Sequence, residues 1–255
     1  MKRSKIQRVL TPLGAILFWI ALWALLARAV GQELLLPSPL QVLKKLLALW
    51  QTHDFWRMTS RSILRVLIGL LAALLLGTLL AALSHKSRLA HALLSPLMTL
   101  VKSTPVASFI VLTLIWLGRG IVPAFITGLI VLPVVWANLT AALRQIDPQL
   151  LELARVYALP RGRVLRRITI PSVLPAFRAS LCSALGLGWK AGIAAEVLTV
   201  PRDSIGRMIY ESKLYLETTE LFAWTVTVVL LSLLIERLLL RLVSQAGRER
   251  GTGDA

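Results

Sequence analysis

The sequence alternates between long apolar segments and short polar or basic ones. Six apolar segments cover approximately residues 12–30, 62–83, 92–117, 121–143, 173–200 and 222–242. About 20 apolar residues in a helix cross the hydrocarbon core of a bilayer, so each segment has the length of a transmembrane helix. The pattern predicts an all-α, polytopic membrane protein in which residues 12–243 form one transmembrane domain. We expect a basic tail at residues 1–11 and a flexible tail at residues 244–255.

The first apolar segment admits two interpretations. A basic start, an apolar run and the tripeptide Ala27-Arg28-Ala29 together resemble a cleaved signal peptide. The run is nevertheless long enough to span a membrane, contains Trp19 and Trp23, and would place an arginine inside the cleavage site. We therefore favour a retained first transmembrane helix.

One long polar stretch, residues 147–175, interrupts the apolar pattern. Asp147 can cap a helix that starts at Pro148, because the carboxylate accepts an orphan backbone N–H and proline has no N–H to leave unpaired. Leu159-Pro160 should end this helix. An arginine-rich turn should follow, with Arg161, Arg163, Arg166 and Arg167. The stretch is predicted to contact another protein.

This stretch resembles the cytoplasmic signature of the membrane-spanning permease subunits of bacterial ABC importers, which reads E-A-A, three residues, G, nine residues, then I-x-L-P. The corresponding residues here are Glu152, Leu153, Ala154, Ala158, Ile168, Ile170 and Pro171. The spacing is kept, whereas Leu153, Ala158 and Ile170 replace alanine, glycine and leucine. A glycine at position 158 would permit a left-handed backbone, so with alanine there we expect Pro160 and Gly162 to break the helix instead.

The resemblance implies a type I ABC importer permease fold of six transmembrane helices, in which residues 147–171 form a coupling helix that docks on a cytoplasmic ATPase. It implies coupling roles for five residues: polar contacts by Glu152 and Arg155, close approach at Ala154 and Ala158, and re-entry into the membrane at Pro171. It also implies a homodimer that works in the lipid bilayer with two ATPase subunits and an extracytoplasmic solute-binding protein.

The transported solute is only partly indicated. The residues Leu36-Pro37-Ser38-Pro39, which precede an amphipathic segment, resemble the permease branch that carries nitrate, taurine and alkanesulfonates. That resemblance implies a small anion. A pyrimidine or another uncharged solute stays open, since the same family carries such compounds.

Four residues are candidates for the translocation pathway. Lys190 and Glu196 lie in the fifth apolar segment, where ionisable groups are costly and usually face a cavity or a partner. Lys102 precedes Pro105, and backbone groups that a membrane proline leaves free must be satisfied by protein or by a water-filled cavity. Two alternatives stay open: Glu196 at the outer interface, and Pro105 as a packing kink without a transport role.

Composition and charge narrow the class of protein. The chain has 255 residues, is 56% hydrophobic and carries a formal net charge of +17. Its mean hydropathy is +0.74, which is too apolar for a soluble core of this size. The basic residues flank apolar segments and are not interleaved with aromatic ones, so we expect no nucleic-acid binding.

The distribution of basic residues predicts the orientation in the membrane. With the amino terminus inside, inner segments hold seventeen Lys and Arg residues and outer segments hold eight. Because cytoplasmic loops carry the excess of positive charge, both termini are predicted to be cytoplasmic in a bacterial plasma (inner) membrane.

The chain shows no signature of an enzyme. It contains no G-x-x-x-x-G-K-[ST] sequence, so ATP hydrolysis is expected in a separate subunit. Its single cysteine, Cys182, and three histidines show no spacing typical of metal ligands, and we expect no cofactor, metal or catalytic residue. A membrane channel or scaffold that is not coupled to an ATPase is the alternative function.

Overall fold

The computed structural model describes residues 5–248, with side chains described for residues 14–238 and for Arg241. Within this range the chain forms eleven α-helices and one π-helical turn. The helices are α1 Lys5–Val30, α2 Pro39–Trp50, α3 His53–Lys86, α4 Arg88–Ser103, α5 Val106–Trp116, α6 Val122–Arg144, α7 Pro148–Val156, α8 Arg161–Val164, α9 Ile170–Thr199, α10 Ile205–Leu214 and α11 Thr218–Arg248, with the π-helical turn at Leu165–Thr169.

The all-α, membrane-spanning architecture predicted from the apolar pattern is confirmed. Four described helical segments are long and apolar enough to cross a bilayer, and α4 with α5 makes a fifth if the pair counts as one span. α1 is apolar over Gly14–Val30, a shorter stretch. Its Trp23 donates a hydrogen bond to the carbonyl of Pro37 at 3.1 Å and stacks on Phe222. The number of six transmembrane helices remains a prediction.

The third apolar segment bends at Pro105, the residue at which the sequence placed a pathway element or a packing kink, so it consists of two helices. α4 and α5 meet at a bend of 105°. Pro105 causes the break because it has no backbone N–H and disfavours a helical conformation in the residue before it. Thr104 is accordingly extended, with φ −82° and ψ 132°.

The fifth segment begins earlier than predicted. α8, the π-helical turn and α9 form one continuous helix from Arg161 to Thr199, so the arginine-rich turn is the start of the spanning helix itself. Within it the N–H of Ile170 bonds to the carbonyl of Leu165, five residues back. Pro171 follows and has no N–H, and the wider turn accommodates its ring within the helix.

The centre of the molecule consists of α3, α6 and α9, packed closely along their lengths. A Cβ atom on Gly188 would lie 3.1 Å from the side chains of Thr127 and Val131, and one on Gly128 would lie 3.2 Å from the carbonyl of Gly69. Small residues at these crossings allow the helix backbones to approach one another, which is how helices associate in lipid. Close packing of α3, α6 and α9 fixes the position of one end of the helix bundle relative to the other.

The chain ends differ in one respect from the prediction. α11 continues through Arg248, so residues 244–248 of the predicted flexible tail are helical. An apolar helix of this length needs no break after residue 243. Residues 1–4 of the basic tail and residues 249–255 lie outside the described residues.

Candidate functional site

The coupling segment, residues 147–171, begins with the short helix α7. The carboxylate of Asp147 accepts a hydrogen bond from the N–H of Gln149 at 2.9 Å, and Pro148 occupies the first turn. The cap and the helix start that the sequence predicted are therefore confirmed. α7 directly follows the C-terminal end of α6, because only Gln145, Ile146 and Asp147 separate the two helices.

α7 ends in a left-handed turn at Ala158, which the sequence had not predicted. Ala158 has φ +47°. Its N–H bonds to the carbonyl of Arg155 at 3.0 Å, and the N–H of Leu159 bonds to the carbonyl of Ala154 at 2.9 Å. This pair of bonds is a Schellman motif, which satisfies the last carbonyls of a helix and usually has glycine at the left-handed position. The helix therefore breaks at the signature position itself, and not through Pro160 and Gly162.

The side chains of α7 divide between exposed and buried positions. Glu152 and Arg155 are exposed, and neither forms an ion pair among the described side chains. Ala154, in contrast, is only 4% exposed. Its methyl group packs within this chain, and the role of close approach to a partner stays a prediction for Ala154. Ala158 and Pro171 are exposed.

Exposed apolar side chains on α7 and at its C-terminal cap form an apolar patch. Their exposed fractions are 43% for Leu150, 56% for Leu153, 77% for Val156 and 70% for Tyr157. Residues three or four positions apart share a helix face, so the spacing of Leu150, Leu153 and Tyr157 was a signal available in the sequence. An apolar patch at the polar end of a membrane protein is typical of a protein contact.

The arginines after α7 add positive charge to this surface. Arg161, Arg163, Arg166 and Arg167 are exposed. None of the four forms an ion pair with a carboxylate in the described part of the chain. Three of them line a shallow pocket together with Pro160 and Gly162. The surface is thus suited to a partner with acidic side chains or to anionic headgroups.

Lys190 lies on an exposed stripe of α9. The stripe consists of Ser183, Leu187, Lys190, Ala194 and Leu198, all exposed in the single chain. The spacing of three or four residues places them on one face of the helix. Lys190 has no hydrogen bond or ion pair among the described side chains, which leaves its charge available to a ligand.

The bend between α4 and α5 places the other two pathway candidates at one site. Lys102 is exposed near the end of α4, and Pro105 is exposed at the start of α5. α5 packs against α9, since Ile110 belongs to the same apolar cluster as Ala191 and Ala195. The bend thus leads into a helix that contacts the one carrying Lys190.

Glu196 is buried within the single chain near the end of α9, so its role in the pathway stays a prediction. Its side chain is 0% exposed. It accepts hydrogen bonds from the hydroxyl of Ser62 at 2.7 Å, from the guanidinium of Arg65 at 3.1 Å and from the N–H of Gly206 at 3.2 Å. These donors satisfy a carboxylate that would otherwise be costly to bury. We call Ser62, Arg65, Glu196 and the backbone of residues 202–206 the outer clamp.

Sequence analysis named only Glu196 among the three side chains of the outer clamp. Arg65 lies within the second apolar segment, so the rule that singled out Lys190 and Glu196 applied to it as well. Ser62 carried no signal, because serine in a transmembrane segment commonly bonds to its own backbone. Only the packed structure shows that α3 contacts the backbone of residues 202–206.

The sequence matches a known protein family and several relatives. The family described as "Binding-protein-dependent transport system inner membrane component" matches residues 66–246. The taurine transport system permease protein TauC of Escherichia coli (strain K12) is 25% identical over 238 residues, covering 90% of this chain and 86% of the relative. The bicarbonate transport system permease protein CmpB of Synechococcus elongatus is 27% identical over 225 residues, covering 82% and 79%.

A solved structure shares the fold. The crystal structure of a bacterial ABC transporter involved in the import of the acidic polysaccharide alginate contains a chain that superposes with a TM-score of 0.64. It is 18% identical and covers 94% of this chain and 98% of its own. At this identity the likeness concerns the fold alone. The overall fold of this chain is therefore one that a chain of a solved ABC transporter also adopts.

Proposed function

The chain belongs to the family of binding-protein-dependent transport system inner membrane components, and we propose that it is the permease subunit of an ATP-driven importer for a small anion. The observation that carries the proposal is the coupling segment. α7 presents an exposed apolar patch beside unpaired Glu152 and Arg155. Such a surface fits a protein partner with both apolar and charged side chains.

The partner of the coupling segment is a cytoplasmic ATPase subunit in this proposal. The chain itself has no phosphate-binding loop, so energy must come from another protein. We infer a homodimer of this chain with two ATPase subunits and an external solute-binding protein, both termini in the cytoplasm. The family description names dependence on a binding protein, which supports the external partner.

A mechanical link connects the coupling segment to the pathway. Beyond the turn at Ala158, Pro160 leads into the continuous helix of residues 161–199, which carries Lys190. Movement of the ATPase subunits toward each other would pull α7, and this helix would transmit the movement through the membrane. Rigid rotation of packed helices is a common form of such a transition.

The coupling proposal is tested with Glu152. We expect Glu152→Lys to lower by about tenfold the ATPase rate that the loaded binding protein stimulates, because reversing a charge at a protein contact costs about 1.4 kcal/mol or more. The measurement is ATP hydrolysis by the chain co-purified in lipid nanodiscs with the ATPase encoded beside it. Asp54→Lys is the matched control, since Asp54 is exposed in the first turn of α3, away from α7, and lies outside α10 and the loop that follows it.

Two results would contradict the coupling proposal. If the chain binds no ATPase, or if hydrolysis is indifferent to Glu152, the alternative of a channel or scaffold without ATP coupling is favoured. If Glu152→Lys and Asp54→Lys reduce hydrolysis equally, the effect comes from surface charge in general and not from the coupling segment.

The anionic character of the solute rests on Lys190 and Lys102. Two copies of Lys190 from a homodimer would place two ammonium groups along one pathway. The named solutes of the relatives, taurine and bicarbonate, support a small anion. An ammonium at membrane depth is favourable only where a cavity or a counter-charge compensates it, which a passing anion would do.

Uptake into proteoliposomes tests the solute class. We expect Lys190→Gln to reduce uptake of labelled taurine or bicarbonate by about tenfold, and Lys190→Arg to retain most of it, because the charge is kept. Lys44→Gln, an exposed lysine of α2, is the control and should leave uptake unchanged. Uptake of an uncharged pyrimidine by the wild type, with no effect of Lys190→Gln, would instead support the uncharged-solute alternative.

A further inference from the structure

The outer clamp joins two spanning helices and a loop helix through one buried carboxylate. Glu196 of α9 bonds to Ser62 and Arg65 of α3 and to the N–H of Gly206 in the first turn of α10. A buried carboxylate is tolerated only when its oxygens are satisfied, and removing one donor leaves a costly unpaired charge. The clamp therefore favours one position of α10 over all others.

The remaining bonds of the clamp fix the backbone of the connecting loop. The hydroxyl of Ser62 accepts a hydrogen bond from the N–H of Ile205 at 2.9 Å. Arg65 donates to the carbonyls of Arg202 at 2.8 Å and Asp203 at 3.1 Å. Asp203 has φ +50°, an uncommon conformation for a residue with a side chain, which persists where surrounding bonds determine it.

Gly206 brings the first turn of α10 directly against the backbone of α9. A Cβ atom at this position would lie 2.5 Å from the carbonyl carbon of Glu196 and 2.5 Å from the nitrogen of Val197. No side chain fits there, so the two helices touch through their main chains. α10 cannot slide along α9 without breaking the bonds of the clamp.

The far end of α10 presents exposed apolar and aromatic side chains. The exposed fractions are 40% for Tyr210, 61% for Leu214, 71% for Tyr215 and 63% for Leu216. Tyrosine is enriched at protein contacts, and the leucines add apolar area to this surface. The position of this edge relative to α9 depends on the clamp at the other end of a ten-residue helix.

We propose that Glu196 is a positioning residue for transport: the outer clamp makes α10 and α9 move as one body, and so sets the edge on which the external binding protein docks. Docking on that edge rests on the proposed function. The attachment of α10 to α9 by the outer clamp is independent of the proposed function. Because α9 belongs to the continuous helix of residues 161–199, the same body extends from the docking edge to the coupling segment.

Spin-label distances test the mechanical part with the full chain alone in nanodiscs. Labels are placed on cysteines at Leu198 and Lys213, both exposed, in a Cys182→Ala background. The wild type should give one narrow distance population. Glu196→Gln, which removes the ion pair to Arg65, should add a second, longer population. Glu211→Gln is the matched control: Glu211 pairs with Arg207 inside α10 at 2.7 Å and joins no other element.

Binding-protein titration tests the positioning role. We expect Glu196→Gln to raise by about tenfold the concentration of binding protein that half-maximally stimulates ATP hydrolysis by the complex. The rate without binding protein should stay within about twofold of the wild type, because the coupling segment is intact. A purely structural role would lower both rates together.

Each outcome decides one part of the proposal. Distances in Glu196→Gln that match those in Glu211→Gln would overturn the clamp. A second distance population with an unchanged half-saturating concentration would overturn the positioning role. If Glu196→Gln does not fold, Ser62→Ala, which removes one hydroxyl, takes its place in both measurements. If the binding protein does not stimulate ATP hydrolysis by the wild-type complex, the proposed function is refuted. The spin-label distances would still show whether the clamp joins α10 to α9.

Discussion

Ala158 shows how a single residue can keep a turn at the cost of strain. With φ +47° it occupies the left-handed region, where a Cβ atom crowds the following carbonyl and costs about 1–2 kcal/mol. The Schellman bonds of Ala158 and Leu159 offset that cost. The related signature has glycine at this position, so this chain holds the same turn with a less suitable residue.

Replacing this alanine should therefore stabilise the turn. We expect Ala158→Gly to slow amide hydrogen exchange at positions 158 and 159 by about fivefold, corresponding to about 1 kcal/mol in local opening. Exchange measured by mass spectrometry on the chain in nanodiscs would show this. Tyr157→Gly is the matched control: Tyr157 has φ −84°, so glycine there only increases the freedom of the open state and should speed exchange. Equal effects of the two variants would contradict the strain at Ala158.

The residues of the candidate site were predictable to different degrees. Asp147, Pro148 and Glu152 follow from local rules of capping and spacing, and the structure confirms the helix that they define. Glu196 stood out as an ionisable residue in an apolar segment, but its partners Ser62 and Arg65 are more than 130 residues away in the chain. No local pattern carries that information, so the partners of Glu196 could not be predicted from the sequence.

At the scale of elements, apolar length predicted the helices, and the prolines decide where they are interrupted. Pro96, Pro133 and Pro175 lie inside α-helices, whereas Pro105 and Pro171 show two other outcomes. At Pro105 the helix breaks and turns by 105°, whereas Pro171 is accommodated by a π-helical turn within one continuous helix. The difference lies in the neighbours: Pro105 follows an extended Thr104, while Ile170 finds the carbonyl of Leu165 one residue farther back.

The continuous helix of residues 161–199 connects three parts of the candidate site. Its N-terminal end carries the arginines beside the coupling segment, its middle carries Lys190, and its C-terminal end carries Glu196. A break at Pro171 would have separated the coupling segment from the part of the helix that carries Lys190. The π-helical turn keeps them in one helix, and turns of this kind are frequent at functional sites.

At the scale of the whole molecule, the two polar ends lie at opposite ends of the helix bundle. α3 connects them, because Ser62 and Arg65 near its start join the outer clamp and Ser84 near its end bonds to Trp136 of α6 at 2.9 Å. The excess of basic residues at the end that carries α7 predicts that this end is cytoplasmic. The orientation decides whether the coupling segment can meet an ATPase at all.

Labelling with a membrane-impermeant maleimide tests this orientation. In a Cys182→Ala background, a cysteine at Lys213 should react in intact spheroplasts, because α10 lies outside. A cysteine at Gln149, exposed on α7, should react only after lysis. The background without an added cysteine controls for other labelled proteins. The reverse pattern would place α7 outside the cell, where no cytoplasmic ATPase can dock, and would remove the basis for coupling through Glu152. The outer clamp would then face the cytoplasm, and its exposed α10 edge could no longer receive an external binding protein.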